Sequence, residues 1–153
     1  MKLYFDNCCY CRPFDNRAHM AQVRVQREVK AIMDTVQLCG TAGIPIIGSA
    51  AIRAELDDIG NYAKRECVRD FYEEVITVEL TETDSIIERA LELTTYKIGN
   101  LDAYHIAFAE AAETDYLLTT DDRFERAAEK LDLKTKIINP INFLGEYFIW
   151  RLS

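Results

Sequence analysis

Four carboxylates stand at positions from which they could bind one cation together. Asp6 directly follows an apolar run near the N-terminus, and Asp121 directly follows the apolar run at 116–120. Glu55 lies early in the helical stretch that follows a third apolar run, and Asp102 lies in the first turn of an alanine-rich stretch. Because the carboxyl ends of parallel strands meet at one edge of a sheet, and ligands bind beyond that edge, we expect these side chains to gather there.

A cluster of this kind supports the chemistry of a hard divalent cation. Oxygen ligands without a paired set of histidines and cysteines select Mg²⁺ or Mn²⁺ rather than zinc. Clustered carboxylates repel one another and raise some of their own pKa values until a cation binds. The bound cation can polarise a phosphoryl oxygen, activate water and stabilise the leaving oxygen, which suits hydrolysis of a phosphodiester bond.

Each acid also has a purely structural explanation. Asp6 can be a turn residue and Glu55 a solvated glutamate, while Asp102 and Asp121 can favour the positive end of a helix dipole. The segment 101–109, "LDAYHIAFA", offers little polar surface apart from Asp102. A carboxylate held close to a sheet is costly unless it is paired or bound to metal. The coincidence of all four therefore favours a site over separate caps.

His105 lies three residues after Asp102 and hence on the same helical face. It is either a base or metal ligand, or a structural residue that hydrogen-bonds Asp102 or a backbone carbonyl and holds the helix in place. The structural explanation is favoured, because a base needs a second partner that the sequence does not name.

The elements that must position these residues alternate between short apolar runs and longer helical stretches. This alternation predicts βα units and a parallel sheet. The predicted strands are 2–5, 44–49, 75–79, 116–120 and 134–140. The predicted helices are 16–39, 50–58, 62–73, 81–96, 99–114, 121–131 and the apolar segment 141–150. Gly40 is the predicted stop of the first helix, Thr81 or Thr83 a cap of the fourth, and Asn100 the N-cap of the fifth.

Composition fits a soluble globular protein of one domain, with 153 residues, 49% hydrophobic and 29% charged. The net charge of −8 argues against nonspecific binding to a polyanion, unless cations held by the acids meet the phosphate. No apolar run is long enough to cross a bilayer, and the N-terminus lacks the pattern of a signal peptide. A cytoplasmic protein without a membrane partner is therefore expected.

The cysteine pattern predicts neither disulfides nor a zinc site. An odd number of cysteines without a secretion signal argues against a disulfide framework. The segment "CCYC" at 8–11 has no second cysteine pair, and the only histidines are His19 and His105. We expect reduced cysteines that pack near the first strand.

Four segments in order resemble a PIN domain: "LYFDN" (3–7), "SAAIRAEL" (49–56), "LDAYHIAFAEAAETDYLLTTDDRF" (101–124) and "IINPINFL" (137–144). The resemblance covers essentially the whole chain, and its most specific part is 101–124. It implies one PIN-like domain over 1–153, of class α/β, with three layers and a central parallel sheet of about five strands flanked by helices. Many members of this family are VapC-type toxin ribonucleases of toxin–antitoxin pairs.

The resemblance implies that Asp6, Glu55, Asp102 and Asp121 are both catalytic residues and metal ligands. Glu55 is preferred over the neighbouring acids at 57 and 58, because its spacing after the strand fits best.

Other positions receive supporting roles from the same resemblance. Thr119 matches the threonine of the Thr-x-Asp motif, which helps orient the site. The family often has Asn or Ser where this chain has Cys8, and Asn7 is the candidate substitute. Asp122 is expected to be a first-turn helix acid and at most a water-mediated partner of the site.

Arg12 and Arg17 are candidates for contacts with RNA phosphates. The alternative explanation for this segment is a proline-shaped turn in which Asp15 caps the next helix, and the sequence favours neither.

The function that the resemblance implies is a metal-dependent endoribonuclease that hydrolyses phosphodiester bonds in RNA, with the toxin of a type II toxin–antitoxin pair as one form. Its cofactor would be Mg²⁺ or Mn²⁺, and its partners RNA, a small antitoxin protein and a second copy in a homodimer. The alternative is a degenerate PIN module that binds RNA or a protein without cleavage, and a small-molecule hydrolase such as a phosphatase is a third possibility. The tail aromatics Tyr147, Phe148 and Trp150 pack in the core or form an interface, and the core is expected.

Overall fold

A computed structural model describes residues 1–152 and contains one five-stranded sheet in which every strand is parallel to its neighbours. The strand order is β3-β2-β1-β4-β5. The strands are β1 (Leu3–Phe5), β2 (Ile46–Ser49), β3 (Val78–Leu80), β4 (Tyr116–Leu118) and β5 (Lys136–Ile138). The predicted α/β fold with a central parallel sheet is confirmed.

Helices connect and flank the strands. They are α1 (Asn7–Cys11), α2 (Arg17–Met20), α3 (Val23–Ala42), α4 (Ala50–Asp57), α5 (Tyr62–Val75), α6 (Asp84–Thr94), α7 (Asn100–Ala111), α8 (Asp122–Glu129) and α9 (Pro140–Leu152). A 3-10 turn (Arg12–Phe14) links α1 to α2. Within residues 1–152, none of these helices combines the length and the apolar character that spanning a bilayer requires.

Some predicted boundaries differ from the structure. The predicted helix 16–39 is divided into α2 and α3, and α3 passes Gly40 to end at Ala42. Gly43 is the C-cap, and its φ of 68° is a left-handed conformation that glycine adopts without steric cost. Gly99 rather than Asn100 is the N-cap of α7. Thr83 caps α6 through its side chain, as one of the two predicted candidates.

The carboxyl edge of the sheet is organised around β1, which lies between β2 and β4. Tyr4 of β1 pairs with Ile47 on one side and with Leu117 on the other. Since the chain passes from β1 to β2 on one side and later reaches β4 on the other, the connections diverge at the end of β1. Such a switch point is where open α/β sheets bind ligands.

A close approach between Tyr72 and β2 fixes the end of that strand. A Cβ at Gly48 would overlap the Tyr72 hydroxyl oxygen, so only glycine leaves room for this ring. The Tyr72 hydroxyl in turn accepts the Ser49 backbone N–H at 3.1 Å. Ser49, the last residue of β2, is thereby held at the carboxyl edge.

The C-terminal aromatics divide between core and surface. Phe143 and Tyr147 of α9 are buried, but Phe148 is 56% exposed and Trp150 is 67% exposed. The expectation that the tail aromatics pack in the core is therefore correct for Tyr147 and wrong for Phe148 and Trp150. Phe148 lies off the helical stripe formed by Phe143 and Tyr147. Trp150 follows that stripe and contacts the Tyr147 ring, but it lies in the exposed last turn of α9.

Candidate metal centre at the carboxyl edge of the sheet

Asp6 is held rigidly where β1 ends. Its side chain is buried, and its Oδ1 accepts the Asn7 backbone N–H at 2.7 Å. Its Oδ2 accepts the Thr119 hydroxyl at 2.9 Å and lies 3.4 Å from the Cys8 thiol. These donors fix both carboxylate oxygens before any cation binds.

Cys8 rather than the Asn7 side chain contacts Asp6. The Asn7 side-chain oxygen accepts the Cys11 thiol at 3.7 Å, so Asn7 supports Asp6 only through its backbone. The Cys8 sulfur also accepts the Thr120 backbone N–H at 3.2 Å. Cys8, the residue at which the chain departs from the PIN pattern, is thus the side chain that contacts Asp6. All five cysteines are free thiols, as expected.

Glu55 of α4 reaches the same edge. Its Oε1 hydrogen-bonds His105 Nε2, which lies 3.6 Å from Asp6 Oδ1. One ligand atom from each of Asp6, Glu55 and His105 lies within 4.8 Å of the others. Asp57 on the same helix instead pairs with Arg69 at 2.7 Å, which agrees with the choice of Glu55.

His105 is buried and its partners differ from those predicted. Its Nδ1 lies 2.7 Å from the Tyr4 hydroxyl, and its Nε2 faces Glu55. The predicted partners, Asp102 or a backbone carbonyl, are wrong, because the ring lies between β1 and α4. Burial lowers the pKa of His105, but the hydrogen bond to Glu55 and the charge of Asp6 outweigh burial and raise it.

Asp102 is the uncompensated acid of the cluster. No side chain or backbone N–H among residues 1–152 donates a hydrogen bond to its half-buried carboxylate. Burial raises its pKa from 3.8 to about 6, and the charges of Asp6, Asp121 and Glu55 add to this effect. The four acids named from the sequence therefore interact electrostatically. Among the described residues, however, the group whose potential ligand atoms all lie within 4.8 Å of one another contains Asp6 and Glu55 with His105, and neither Asp102 nor Asp121 belongs to it.

Asp121 and Asp122 have different environments although they are adjacent. Asp121 is the N-cap of α8, and its Oδ1 accepts the backbone N–H groups of Arg123 at 3.0 Å and Phe124 at 3.3 Å. Asp122 is the first residue of α8 and binds both terminal nitrogens of Arg24, at 2.6 and 2.8 Å. The hydrogen bond from Arg24 lowers the pKa of Asp122. Asp122 is thus a first-turn acid committed to an ion pair.

Thr119 links Asp121 to Asp6. The Thr119 hydroxyl oxygen accepts the Asp121 backbone N–H at 3.1 Å while its proton is donated to Asp6. Thr119 is fully buried, so both contacts form away from water. The geometry agrees with an orienting position for this threonine.

Arg12 and Arg17, the two candidates for contacts with RNA phosphates, differ in whether other residues already bind them. Arg12 donates to Asp15 at 2.9 Å and to the Thr120 hydroxyl at 3.1 Å, and it lies 3.4 Å from the buried Glu28. Arg17 is exposed. Asp15 pairs with Arg12, so the alternative in which Asp15 caps the next helix is wrong.

Asn16, the residue after Asp15, caps α2 by accepting the His19 backbone N–H.

Sequence reasoning missed three residues that shape the centre: Tyr4, Cys8 as an Asp6 partner, and Ser49. Tyr4 stands between leucine and phenylalanine in a buried strand, where its hydroxyl needs a polar partner. That requirement was the available signal for a buried hydrogen-bond network under the acids.

The fold and this edge define an α/β protein with an acid cluster at the switch point of its sheet. The PIN domain family model matches residues 22–130, which is more than half of the chain, and the chain belongs to that family. The match includes Glu55, Asp102 and Asp121, while Asp6 lies before it.

Comparison with solved structures finds the same fold. The chain is similar to the crystal structure of VapBC2 from Rickettsia felis bound to a DNA fragment from their promoter, with a TM-score of 0.60 and 15% identity. The match covers 91% of this chain and 98% of that chain. At this identity the likeness concerns the fold alone. No curated protein matches the chain.

Proposed function

We propose that this chain is a Mg²⁺- or Mn²⁺-dependent endoribonuclease. The cation would supply Lewis-acid polarisation of the scissile phosphate and activation of water. PIN domains are generally nucleases that use divalent metals, and membership of the family supports the proposal.

The observation that carries the proposal is the uncompensated carboxylate of Asp102. Burial and three other acids raise its pKa to about 6 although the charge of His105 acts in the opposite direction, and no hydrogen-bond donor within residues 1–152 contacts the carboxylate. A bound divalent cation would offset this charge and favour ionisation of the group. Like-charge clustering of this kind is a marker of functional sites, because folding alone gains nothing from it.

The proposed ligands are Asp6, Glu55, Asp102 and Asp121. Asp6 presents an oxygen already oriented by Thr119 and by the Asn7 backbone, and Asp121 presents the oxygen that does not cap α8. Bound substrate phosphate would lie beyond these oxygens, at the open edge of the sheet.

The direct test is cleavage of a single-stranded RNA with Mn²⁺ or Mg²⁺, with and without EDTA. We expect cleavage by the wild-type chain, its loss in EDTA, and a loss of at least about 100-fold in Asp6→Asn, since changes to groups that merely orient metal ligands already cost roughly 10- to 100-fold. Asp57→Asn is the matched control, because this exposed acid of α4 pairs with Arg69. Equal cleavage by wild type and Asp6→Asn would mean a contaminating nuclease and would overturn the proposal.

A non-cleaving module that binds RNA or protein is the second candidate function. The observations that favour it are the net charge of −8 and the engagement of Arg12 with Asp15 and Glu28, which removes one of the two predicted contacts with RNA. Calorimetric titration of the folded chain with Mn²⁺ separates the two functions. A saturable site supports the nuclease, and no heat of binding supports the module.

For the biological setting we propose the toxin of a type II toxin–antitoxin pair, acting in the cytoplasm. The fold shared with the VapBC2 structure supports this setting. A small antitoxin and a second copy of the chain would be the protein partners, and the exposed apolar side chains of α9, Phe148 and Trp150, are candidate contacts. Arg17 is exposed and follows Asp6 in the N-terminal part of the chain. It remains the candidate for a contact with RNA phosphate.

A further inference from the structure

A chain of buried hydrogen bonds runs from the start of α4 to Glu55. Ser49 Oγ accepts the Ile52 backbone N–H at 3.1 Å, which makes Ser49 the side-chain N-cap of α4. Ser49 Oγ also lies 2.6 Å from the Tyr4 hydroxyl. The Ser49 proton has no other acceptor within hydrogen-bond distance among residues 1–152, so it is donated to Tyr4.

The Tyr4 hydroxyl continues this order of donation and donates its proton to His105. Because Tyr4 accepts from Ser49, its own proton is free to be donated to His105 Nδ1, which lies 2.7 Å away. Burial raises the pKa of Tyr4 well above its ordinary value, so the hydroxyl keeps that proton. An imidazole that accepts at Nδ1 carries its own proton at Nε2.

We propose that His105 is a positioning residue that donates its Nε2 proton to Glu55, and that it is not a ligand of the cation. The statement rests on the metal site put forward above. Ligation by His105 would require a free lone pair at Nε2 and a proton at Nδ1. Tyr4 would then have to donate to Ser49, and the buried Ser49 proton would lose its acceptor, which is unfavourable.

In this role His105 would hold Glu55 in place within the candidate metal centre. His105 Nε2 faces Glu55 and lies 3.6 Å from Asp6, so a proton there holds the glutamate beside the aspartate. Carboxylate oxygens without the imidazole would then hold the cation, which would strengthen the preference for a hard cation over zinc. Second partners of this kind commonly orient ligands without touching the metal.

Spectroscopy of the wild-type chain tests the ring directly. The chain has only two histidines, so ¹⁵N-histidine labelling and a His19→Gln variant assign the His105 signals. We expect Nε2 to be protonated with and without Mg²⁺, and pulsed EPR of the Mn²⁺ complex to show no nitrogen bound to the ion. An unprotonated Nε2 or a directly bound nitrogen would overturn the proposal.

Matched tyrosine variants test the relay. Tyr4→Phe removes the donor to Nδ1, and we expect Mn²⁺ to bind about 10-fold more weakly, in line with other changes to groups that orient ligands. Tyr10→Phe is the control, because its buried hydroxyl has no hydrogen-bond partner among residues 1–152. His105→Leu should weaken binding at least as much as Tyr4→Phe, and His105→Gln should recover part of the loss because its amide can donate to Glu55.

Equal Mn²⁺ affinity in Tyr4→Phe and Tyr10→Phe would contradict the relay. If Mn²⁺ does not bind the wild-type chain at all, the proposed nuclease function fails, while the protonation state of His105 in the metal-free chain still decides the role of the ring.

Discussion

The two halves of the acid cluster are held in different ways. The inner pair, Asp6 and Glu55, receives side-chain donors: Thr119 donates to Asp6, and His105 contacts Glu55. The outer pair, Asp102 and Asp121, receives none from side chains among residues 1–152, and Asp121 accepts only backbone N–H groups.

The donors orient the inner pair, whereas no side-chain hydrogen bond among residues 1–152 offsets the negative charge of the outer pair. Donors around the inner pair fix the geometry and offset part of its negative charge before a cation arrives. The outer pair leaves charge unbalanced, and burial together with the charges of the other acids raises the pKa of Asp102 to about 6. A cation would therefore find oriented oxygens on one side and uncompensated charge on the other.

The largest expected effect in this comparison comes from Asp102→Asn in the outer pair. This variant should lower cleavage and Mn²⁺ binding while it raises the stability of the metal-free protein. We expect cleavage and Mn²⁺ binding to fall by at least about 100-fold, because a proposed ligand is lost. The metal-free variant should nevertheless be more stable than wild type at pH 7.5, because it lacks a charge that the fold disfavours.

The pH dependence of this stability gain has a definite sign. A raised folded-state pKa means that the Asp102 carboxyl contributes most to stability below about pH 4 and that this contribution is lost as the pH rises through about 6. Partial exposure of the carboxyl screens the effect, so we expect a gain of ~1 kcal/mol for the variant above pH 6 and none at pH 4. Urea unfolding in EDTA at both pH values measures it, and equal gains at both would contradict the assignment.

A smaller effect is expected from Asp121→Asn, measured against its neighbour. Asn is as good an N-cap as Asp, so α8 should keep its stability while Mn²⁺ affinity and cleavage fall by roughly 10- to 100-fold. Asp122→Asn removes only the exposed pair with Arg24, and such pairs contribute about 0–1 kcal/mol. We expect less than about threefold loss of cleavage there, and the reverse order would mean that the two acids were assigned backwards.

The smallest effect is expected in the inner pair from Thr119→Val. The variant keeps the shape of the buried side chain but removes the hydroxyl that Asp6 accepts at 2.9 Å. Mn²⁺ affinity should fall by about 10-fold, with thermal unfolding used to confirm a folded variant. Thr120→Val is the control, since the hydroxyl of Thr120 binds Arg12 instead; an equal loss in both variants would show that Asp6 is not oriented in this way.

The sequence was sufficient to predict the sheet and the convergence of its acids. Short apolar runs separated by helical stretches specify parallel strands, and parallel strands bring their carboxyl ends together. Asp6 follows β1 directly and Asp121 lies three residues after the end of β4, so their proximity needed no knowledge of side-chain contacts. Boundaries were less predictable: β3 begins at Val78 because α5 continues to Val75.

Side-chain partners could not be predicted because they depend on packing between distant elements. His105 binds Tyr4 and Glu55, which lie 101 and 50 residues away in the chain. Glu28 has the pattern of a solvated helical acid, yet it is buried and bound by the Asn139 amide at 2.7 Å. Neither contact leaves a periodic signal, because single buried polar residues do not change the hydrophobic pattern.

The engagement of Arg12 has a consequence for how the chain would respond to ionic conditions. Each side-chain cation that neutralises a nucleic-acid phosphate releases counterions and steepens the loss of affinity with monovalent salt. Arg12 already faces Asp15 and the fully buried Glu28, and an arginine that left them would abandon a charge in the interior. If the chain binds RNA at this edge as proposed, Arg12 would therefore add nothing to the dependence of that binding on monovalent salt.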